Sequence, residues 1–411
     1  MFSNEMLTVL SGLLALSILT HETSLFLLTL AFLVAAGLSR LWERFCLTRV
    51  EYRRRFSQHR VAFGEEIELK VEIVNRKLLP LSWLEIEDEI PLALAPARVH
   101  LHPSHKPERS LLGNLCAMRP FERIRRRYTI PCLTRGEHLI GPVKLRSGDL
   151  FGFVTCERVL DSVESVVVYP RVVPLGELGL PARNPLGDLR ARSWIFEDVS
   201  RPAGAREYRQ GDDLRRIHWP ASARSQQLQS RIYESTTSHK LAVFLNLDTG
   251  EYGKPSFSFD SDVMELGICT AASIARWGLD RGYQVGVYTN GTHRGSHRPT
   301  LVEPGSGIAQ LERILYSLGR LQPTAIKQYE ELLALHGRQL PYGATVVLVT
   351  AGLSPTVASE AVTLRRHGYG VVAILTGRQA DGTTTPGIVV RRVGPPETWH
   401  EAEVLRTVGT A

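Results

Sequence analysis

Across Leu7–Leu38 nearly every position is apolar, and the stretch is broken by the polar tetrad His21-Glu22-Thr23-Ser24. A membrane-spanning helix needs about 20 apolar residues, within a range of roughly 17–25. Ser24–Trp42 meets that length, whereas Glu5–Thr20 is short and would have to thin the bilayer or carry interfacial ends. The pattern predicts two helices joined by a tight turn, a membrane hairpin over residues 1–45, with one long signal-anchor helix as the alternative. A cleaved signal peptide is not expected, because Met1–Met6 holds no Lys or Arg and the apolar stretch is too long for an h-region. Arg40, Arg44, Arg49 and the run Arg53-Arg54-Arg55 follow the second segment, and the preceding turn has no Lys or Arg. The positive-inside bias therefore places everything after Arg40 in the cytoplasm. Trp42 stands where an aromatic anchor would, and Arg53–Arg55 reads as a solvated element end or a lipid-headgroup contact.

From about Thr48 to Pro174 the period becomes two. Glu66–Val74 alternates charged and apolar residues, as a half-buried strand does, and Leu84–Glu87 repeats the theme. Arg127–Ile130 and Val166–Tyr169 are further strands. Short strands punctuated by Pro and Gly, without helical runs, predict an immunoglobulin-like β-sandwich over residues 46–175. Its Arg123–Arg127 cluster suits a solvated edge that blocks strand pairing. Leu175–Arg201 is rich in Gly, Pro, Arg and Leu without clean period, and residues 176–238 read as a linker carrying a charged and aromatic strip.

After His239 strands alternate with helices. Leu241–Leu247, Gln284–Tyr288, Thr345–Val349 and Val371–Leu375 are apolar runs, and Ile388–Val393 could add an edge strand. Asp262–Gly278, Ile308–Leu321, Lys327–His336 and Pro355–His367 carry helical periodicity. Residues 239–411 are thus expected to form a doubly wound α/β domain: a mostly parallel sheet covered on both faces, with its first strand central.

Composition changes this picture little. The 43% hydrophobic and 22% charged content is globular, and 411 residues suit two or three domains. Net charge +7 fits either nucleic acid or an anionic membrane leaflet. Five widely spaced cysteines without a C-x-x-C form neither a disulfide framework nor a zinc site.

Two stretches carry a family resemblance. Arg206-Glu207-Tyr208-Arg209-Gln210-Gly211-Asp212-Asp213-Leu214-Arg215-Arg216-Ile217-His218-Trp219 resembles the R-x-Y-x-x-G-D-x-x-R-x-I-x-W signature of the domain of unknown function 58 family. Arg135–Pro142, followed by Ser147–Gly152, is similar to that family's R-G-x-x-x-x-G-P … D-P-F-G segment, with Leu150 where proline is usual. The resemblance implies a von Willebrand factor A-like fold for the α/β domain and partnership with MoxR-type AAA+ ATPases in assembly or maturation of other proteins.

Read for their chemistry, Arg206, Tyr208, Arg215 and Trp219 are of the kind enriched at interface hot spots. Gly211-Asp212 is a turn dipeptide, and Asp212 is within reach of Arg206, Arg215 or Arg216. Arg206, Tyr208, Gly211, Asp212, Arg215, Ile217 and Trp219 are the candidate partner-binding residues. The competing expectation is that Tyr208, Ile217 and Trp219 pack over the sheet while the charges pair locally.

Von Willebrand A domains hold Mg²⁺ through D-x-S-x-S after the first strand, because a hard cation takes carboxylate and hydroxyl ligands. The matching positions here are Asp248, Gly250 and Tyr252, so neither serine is present, and Thr350-Ala351-Gly352 stands where a second aspartate would follow Thr345–Val349. No metal and no cofactor are expected, and Asp260 and Asp262 suit helix capping. No G-x-S-x-G, G-x-x-x-x-G-K-[ST] or H-E-x-x-H occurs, and Glu303–Gly307 is a plain turn. The reading is a non-enzymatic membrane-anchored adaptor. The alternatives are a nucleic-acid binder, for which Glu207, Asp212 and Asp213 interrupt the basic strip, and a hydrolase, which lacks a nucleophile–base pair.

Overall fold

The computed structural model describes residues 4–20, 22–97, 99, 101–149, 154–181, 186, 197–209, 217–235, 240–249, 260–341, 343–378 and 387–396. They fall into two compact units, Met1–Tyr169 and Pro170–Ala411.

The first unit opens with two apolar helices, α1 (Asn4–Leu19) and α2 (Thr23–Phe45). Among the described residues, α2 is the one helix long and apolar enough to cross a membrane. It runs past Trp42 because its last turns have a docking site. Ser39 is buried and donates to Asp149 Oδ2 at 3.0 Å, and Trp42 Nε1 donates to the Gly148 carbonyl at 2.9 Å. Trp42, expected as an aromatic anchor, has its indole N–H satisfied inside the unit and its side chain half-buried. Gly148 fits because a Cβ there would lie 2.4 Å from the Val154 carbonyl oxygen. Asp149 also accepts from Val154 N at 3.0 Å. The Gly148-Asp149 pair of the second family-like stretch is therefore a helix dock.

The strands are β1 (Val50–Phe56), β2 (Arg60–Val61), β3 (Glu66–Asn75), β4 (Leu81–Pro91), β5 (His102–Pro103), β6 (Arg109–Met118), β7 (Arg123–Pro131), β8 (Gly136–Ile140), β9 (Val143–Gly148), β10 (Thr155–Leu160) and β11 (Glu164–Val168). They form three sheets, in the orders β1-β3-β7, β10-β9-β4-β6-β5 and β2-β11-β8. The period-two alternation sends Ile67, Leu69, Val71 and Ile73 inward, where they share one core with Leu84, Ile86, Leu112, Val143 and Leu145. The opposite parity points Glu68, Lys70 and Glu72 outward. β7 is an edge strand on which Arg123, Arg125 and Arg127 are exposed. Arg123 pairs with Glu72 at 3.0 Å. Gly141 sits at φ +103 with the Ser162 carbonyl so close that no Cβ would fit, which accounts for glycine in that motif.

The second unit begins with an antiparallel pair not expected in the 176–238 stretch, β12 (Glu197–Glu207) and β13 (Gln229–Ser235), with helix α3 (Trp219–Ser225) between them in sequence. It continues as β14 (Lys240–Leu245), α4 (Ser261–Asp280), β15 (Gln284–Thr289), β16 (Gly291–His293), β17 (Thr300–Gly305), α5 (Ile308–Gly319), β18 (Leu321–Ala325), α6 (Tyr329–Gly337), β19 (Thr345–Thr350), α7 (Pro355–Arg366), β20 (Gly370–Leu375) and β21 (Val389–Arg392). The six-stranded sheet runs β17-β15-β14-β19-β20-β21, parallel except for β17. β14 lies inside it and β21 at an edge, as the apolar runs predicted. Ala242 and Phe244 pack with α6 and α7, in one core with Leu332, Leu333, Val357 and Leu364. Leu241 and Leu245 face α4, where Gly278 and Gly267 let the helix approach: a Cβ at Gly278 would lie 2.7 Å from Leu241 Cδ2. Leu321 is a correction. It was expected to end a helix, but α5 stops at Gly319, and buried Leu321 opens β18 against His293.

Candidate functional site

The candidate strip divides. Gly211, Asp212 and Arg215 lie outside the described residues, as do Gly250 and Tyr252. Arg206 is exposed near the end of β12, with Nη1 donating to the Glu207 carbonyl at 3.1 Å. Tyr208 is half-buried, and its backbone N–H donates to the Leu228 carbonyl at 2.8 Å. Ile217 is buried and bridges to Ser230 of β13, the residue that Arg206 faces from the other side. His218 caps α3: its Nδ1 accepts from Ala221 N at 3.1 Å, and Ser222 Oγ accepts from Gln229 N at 2.8 Å. This histidine, which showed no partner in sequence, fastens α3 to β13 as a structural residue. Trp219, next to it, is 66% exposed. Of Tyr208, Ile217 and Trp219, which one reading expected to pack over the sheet, Ile217 is buried against β13, Tyr208 is half-buried and Trp219 is exposed. Pro220 behind it occupies the first turn, where a missing N–H costs nothing, and the short helix turns the indole outward.

The second place where chemistry could gather is the carboxyl end of the parallel strands, where strand order reverses between β14 and β19. Three polar residues meet there. Asn290 Nδ2 donates to Asn246 Oδ1 at 2.8 Å, Asn246 Nδ2 donates to Thr350 Oγ1 at 3.1 Å, and Leu247 N donates to Asn290 Oδ1 at 2.9 Å. Asn246 Oδ1 also accepts from Asp248 N at 3.0 Å. The amides and hydroxyl thus satisfy one another and the loop backbone, which sets the exit of the chain toward exposed Asp248. Thr249 is buried, and its Oγ1 accepts from Asp260 N at 3.0 Å.

Asp260 is the N-cap of α4, accepting from Asp262 N at 3.0 Å and Val263 N at 3.3 Å. Arg378, from the turn after β20, reaches the same carboxylate at 2.8 Å and Asp262 at 3.7 Å. The hydrogen bond from Arg378, then those from the helix N–H groups, hold the Asp260 carboxyl below its ordinary range. The cation beside these two carboxylates is therefore a guanidinium of the chain itself. No group of three His, Cys, Asp or Glu side chains with metal-holding geometry occurs among the described residues. Sequence reasoning missed Asn246, Asn290 and Arg378, and singled out Thr350 only as a place where an aspartate is lacking. Their one common sequence signal was a polar residue at the end of, or just beyond, an apolar strand.

In the first unit, Arg53 and Arg55 point outward with Lys70, Arg125 and Arg127 around a shallow groove, and Glu72 lies among them. Arg54, between the first two, is buried.

Comparison with known proteins gives a narrow result. Over 278 residues the chain is 25% identical to "Uncharacterized protein YeaD" of Bacillus subtilis (strain 168), a match covering 66% of this chain and 62% of that protein's length. Among solved structures, the CARDB domain of the PF1109 protein from Pyrococcus furiosus superposes over 29% of this chain and 89% of its own, at TM-score 0.19 and 10% identity. A β-glucosidase from Listeria innocua does so over 29% and 16%, at TM-score 0.18 and 15% identity. Superpositions this weak assign neither fold family nor activity. The signature strip and the whole six-stranded sheet lie instead in residues 204–393, which match the family described as "Protein of unknown function DUF58".

Proposed function

We propose that this chain is a membrane-anchored, non-catalytic adaptor whose signature strip docks a partner protein, a MoxR-type AAA+ ATPase being the partner that the family resemblance implies. In this reading the first unit joins a membrane hairpin to an immunoglobulin-like β-domain, the second is a von Willebrand factor A-like domain, and both face the cytoplasm. The observation that carries the proposal is Trp219. A large aromatic left two-thirds exposed forfeits the burial that normally holds such a residue. Tryptophan is also the residue type most enriched at binding hot spots. Arg206, one strand away from Ile217, adds a second hot-spot type on the same small hairpin. The network of Asn246, Asn290 and Thr350 supports a non-catalytic reading of the α/β sheet, since these groups are committed to holding the loop.

The test is affinity capture of the full-length chain from native membranes, with Trp219→Ala beside the unsubstituted protein. An AAA+ ATPase that co-purifies with the parent and is lost with Trp219→Ala, at unchanged thermal melting, is the expected result. Equal recovery with both chains would sink the strip as the docking surface.

A further inference from the structure

We infer that the helix-proximal end of the strand-rich unit is a lipid-binding surface, with Leu78 and Phe121 entering the headgroup region of an anionic bilayer; this rests on the membrane-anchor reading above. Three connections meet at that end: the exit from α2, the β3–β4 loop and the β6–β7 loop. Lys77 joins the first two. Its Nζ donates to the carbonyls of Phe45 at 3.0 Å and Thr48 at 3.2 Å, and also to that of Cys46. A buried ammonium thus satisfies the last carbonyls of the apolar helix and answers its negative dipole end. The third connection joins through the backbone, Phe121 N donating to the Lys77 carbonyl at 3.4 Å.

From this clasp two large apolar side chains project into solvent, Leu78 at 79% and Phe121 at 67% exposed. Phe121 also adopts φ +56, a left-handed conformation that bulky residues avoid. Neither burial nor backbone preference therefore favours phenylalanine at that position, and an apolar phase outside the protein would. Exposed Arg44, Arg49 and Arg119 lie on the same three connections, against Glu43 and Glu122. Apolar tips with exposed arginines on the same connections complement an anionic leaflet, with the rings and alkyl chains entering and the guanidinium groups meeting phosphate. Continuity with α2 gives the occupant: the helix that would cross the bilayer ends within the clasp.

The test uses the full chain in nanodiscs of phosphatidylcholine with or without phosphatidylglycerol, doped with lipid spin-labelled near the headgroup. A fluorophore is attached at Leu78→Cys, Phe121→Cys or Leu133→Cys, and the unsubstituted chain supplies the blank for its native cysteines. Leu133 is exposed too, at 60%, but follows the opposite end of β7. Nine strand residues separate the two ends by roughly 26 Å. Quenching at positions 78 and 121 several-fold above that at 133, and stronger with phosphatidylglycerol, is the expected result. Quenching no greater than at 133 would overturn the inference. A fourth label at Val34→Cys in α2 separates the two readings. If it is quenched while 78 and 121 are not, the anchor stands and the lipid-binding surface fails. If it too is unquenched, the anchor reading itself falls and takes the inference with it.

Discussion

Arg54 and Asp88 have fully buried side chains 2.5 Å apart, and Tyr52 donates to the same carboxylate at 2.7 Å. Arg54 also reaches the Ser162 carbonyl and, at 3.7 Å, Glu164. Removing one member strands the other in the core. Arg54→Ala should cost ~3–5 kcal/mol, while Arg54→Met with Asp88→Asn, which deletes both charges, should recover a large share. Urea unfolding of the strand-rich unit in the detergent-solubilised chain checks both. Burial pushes the Asp88 carboxyl up to about 6, against the pull of Arg54 and Tyr52. The folded chain then keeps a proton that the unfolded chain releases near pH ~3.9. Stability from this group falls as pH rises from about 4 to about 6 and is level above. Arg54→Ala removes the largest opposing influence, so its decline should extend to higher pH. A gap between parent and variant that stays constant across that range would contradict this account.

At the scale of elements, α4 is fixed by its first turn. Asp260→Ala removes the cap and should cost ~1 kcal/mol. Arg378→Ala, at a partly exposed pair, should cost only ~0–1 kcal/mol. Because Asp260 is held low, its contribution is complete above pH ~4 and is lost as pH falls through the folded value. Melting of the two variants at neutral and acid pH measures this, and the difference between parent and Asp260→Ala should shrink in acid. The same first turn bears on metal. With Arg378 already beside Asp260 and Asp262, and Asn246, Asn290 and Thr350 bonded together, calorimetric titration of the full chain should show no saturable Mg²⁺ binding at millimolar concentrations. A one-to-one isotherm abolished by Asp248→Ala would reverse that expectation.

For the whole molecule the proposed anchor raises the question of which side of a membrane holds the two units. The arginines begin in the last turns of α2 and continue beyond it, so external protease on sealed cells should leave the region after Arg40 intact until lysis. Cleavage before lysis would refute the topology. In the proposed anchor, docking of Ser39 and Trp42 on the strand-rich unit leaves Thr23–Leu38 to enter a bilayer, about 24 Å at 1.5 Å per residue. α1, with 16 residues, has the same length. In the proposed hairpin the two apolar segments would match one another and suit a bilayer core thinner than the usual ~30 Å, whereas α2 is the one described helix that by itself meets the length and apolarity of a span.

Much was legible in the residue pattern, because burial imposes its period directly. The apolar runs at Leu241–Leu247 and Thr345–Val349 became inner parallel strands, and the alternation at Glu66–Val74 became a strand with one face in the core. Asp260 and Asp262 could be named in advance as helix-capping residues, and Asp260 is the N-cap of α4. What the polar side chains meet across the fold could not, since those partners are distant in sequence. Asp149 meets Ser39 across 110 positions, Arg378 meets Asp260 across 118, and Asn246 meets Thr350 across 104. Such pairs are brought together only when the chain closes, and no local period encodes them. Trp219 follows the same logic in reverse. Its apolar mass argued for burial, but a capping histidine and a first-turn proline set the helix so that the indole faces outward. Hydrophobic periodicity determined which segments became strands and helices, because each had to hide one face from water. Tertiary closure decided which polar groups found partners and which aromatic was left exposed, because both depend on neighbours that the local sequence does not supply.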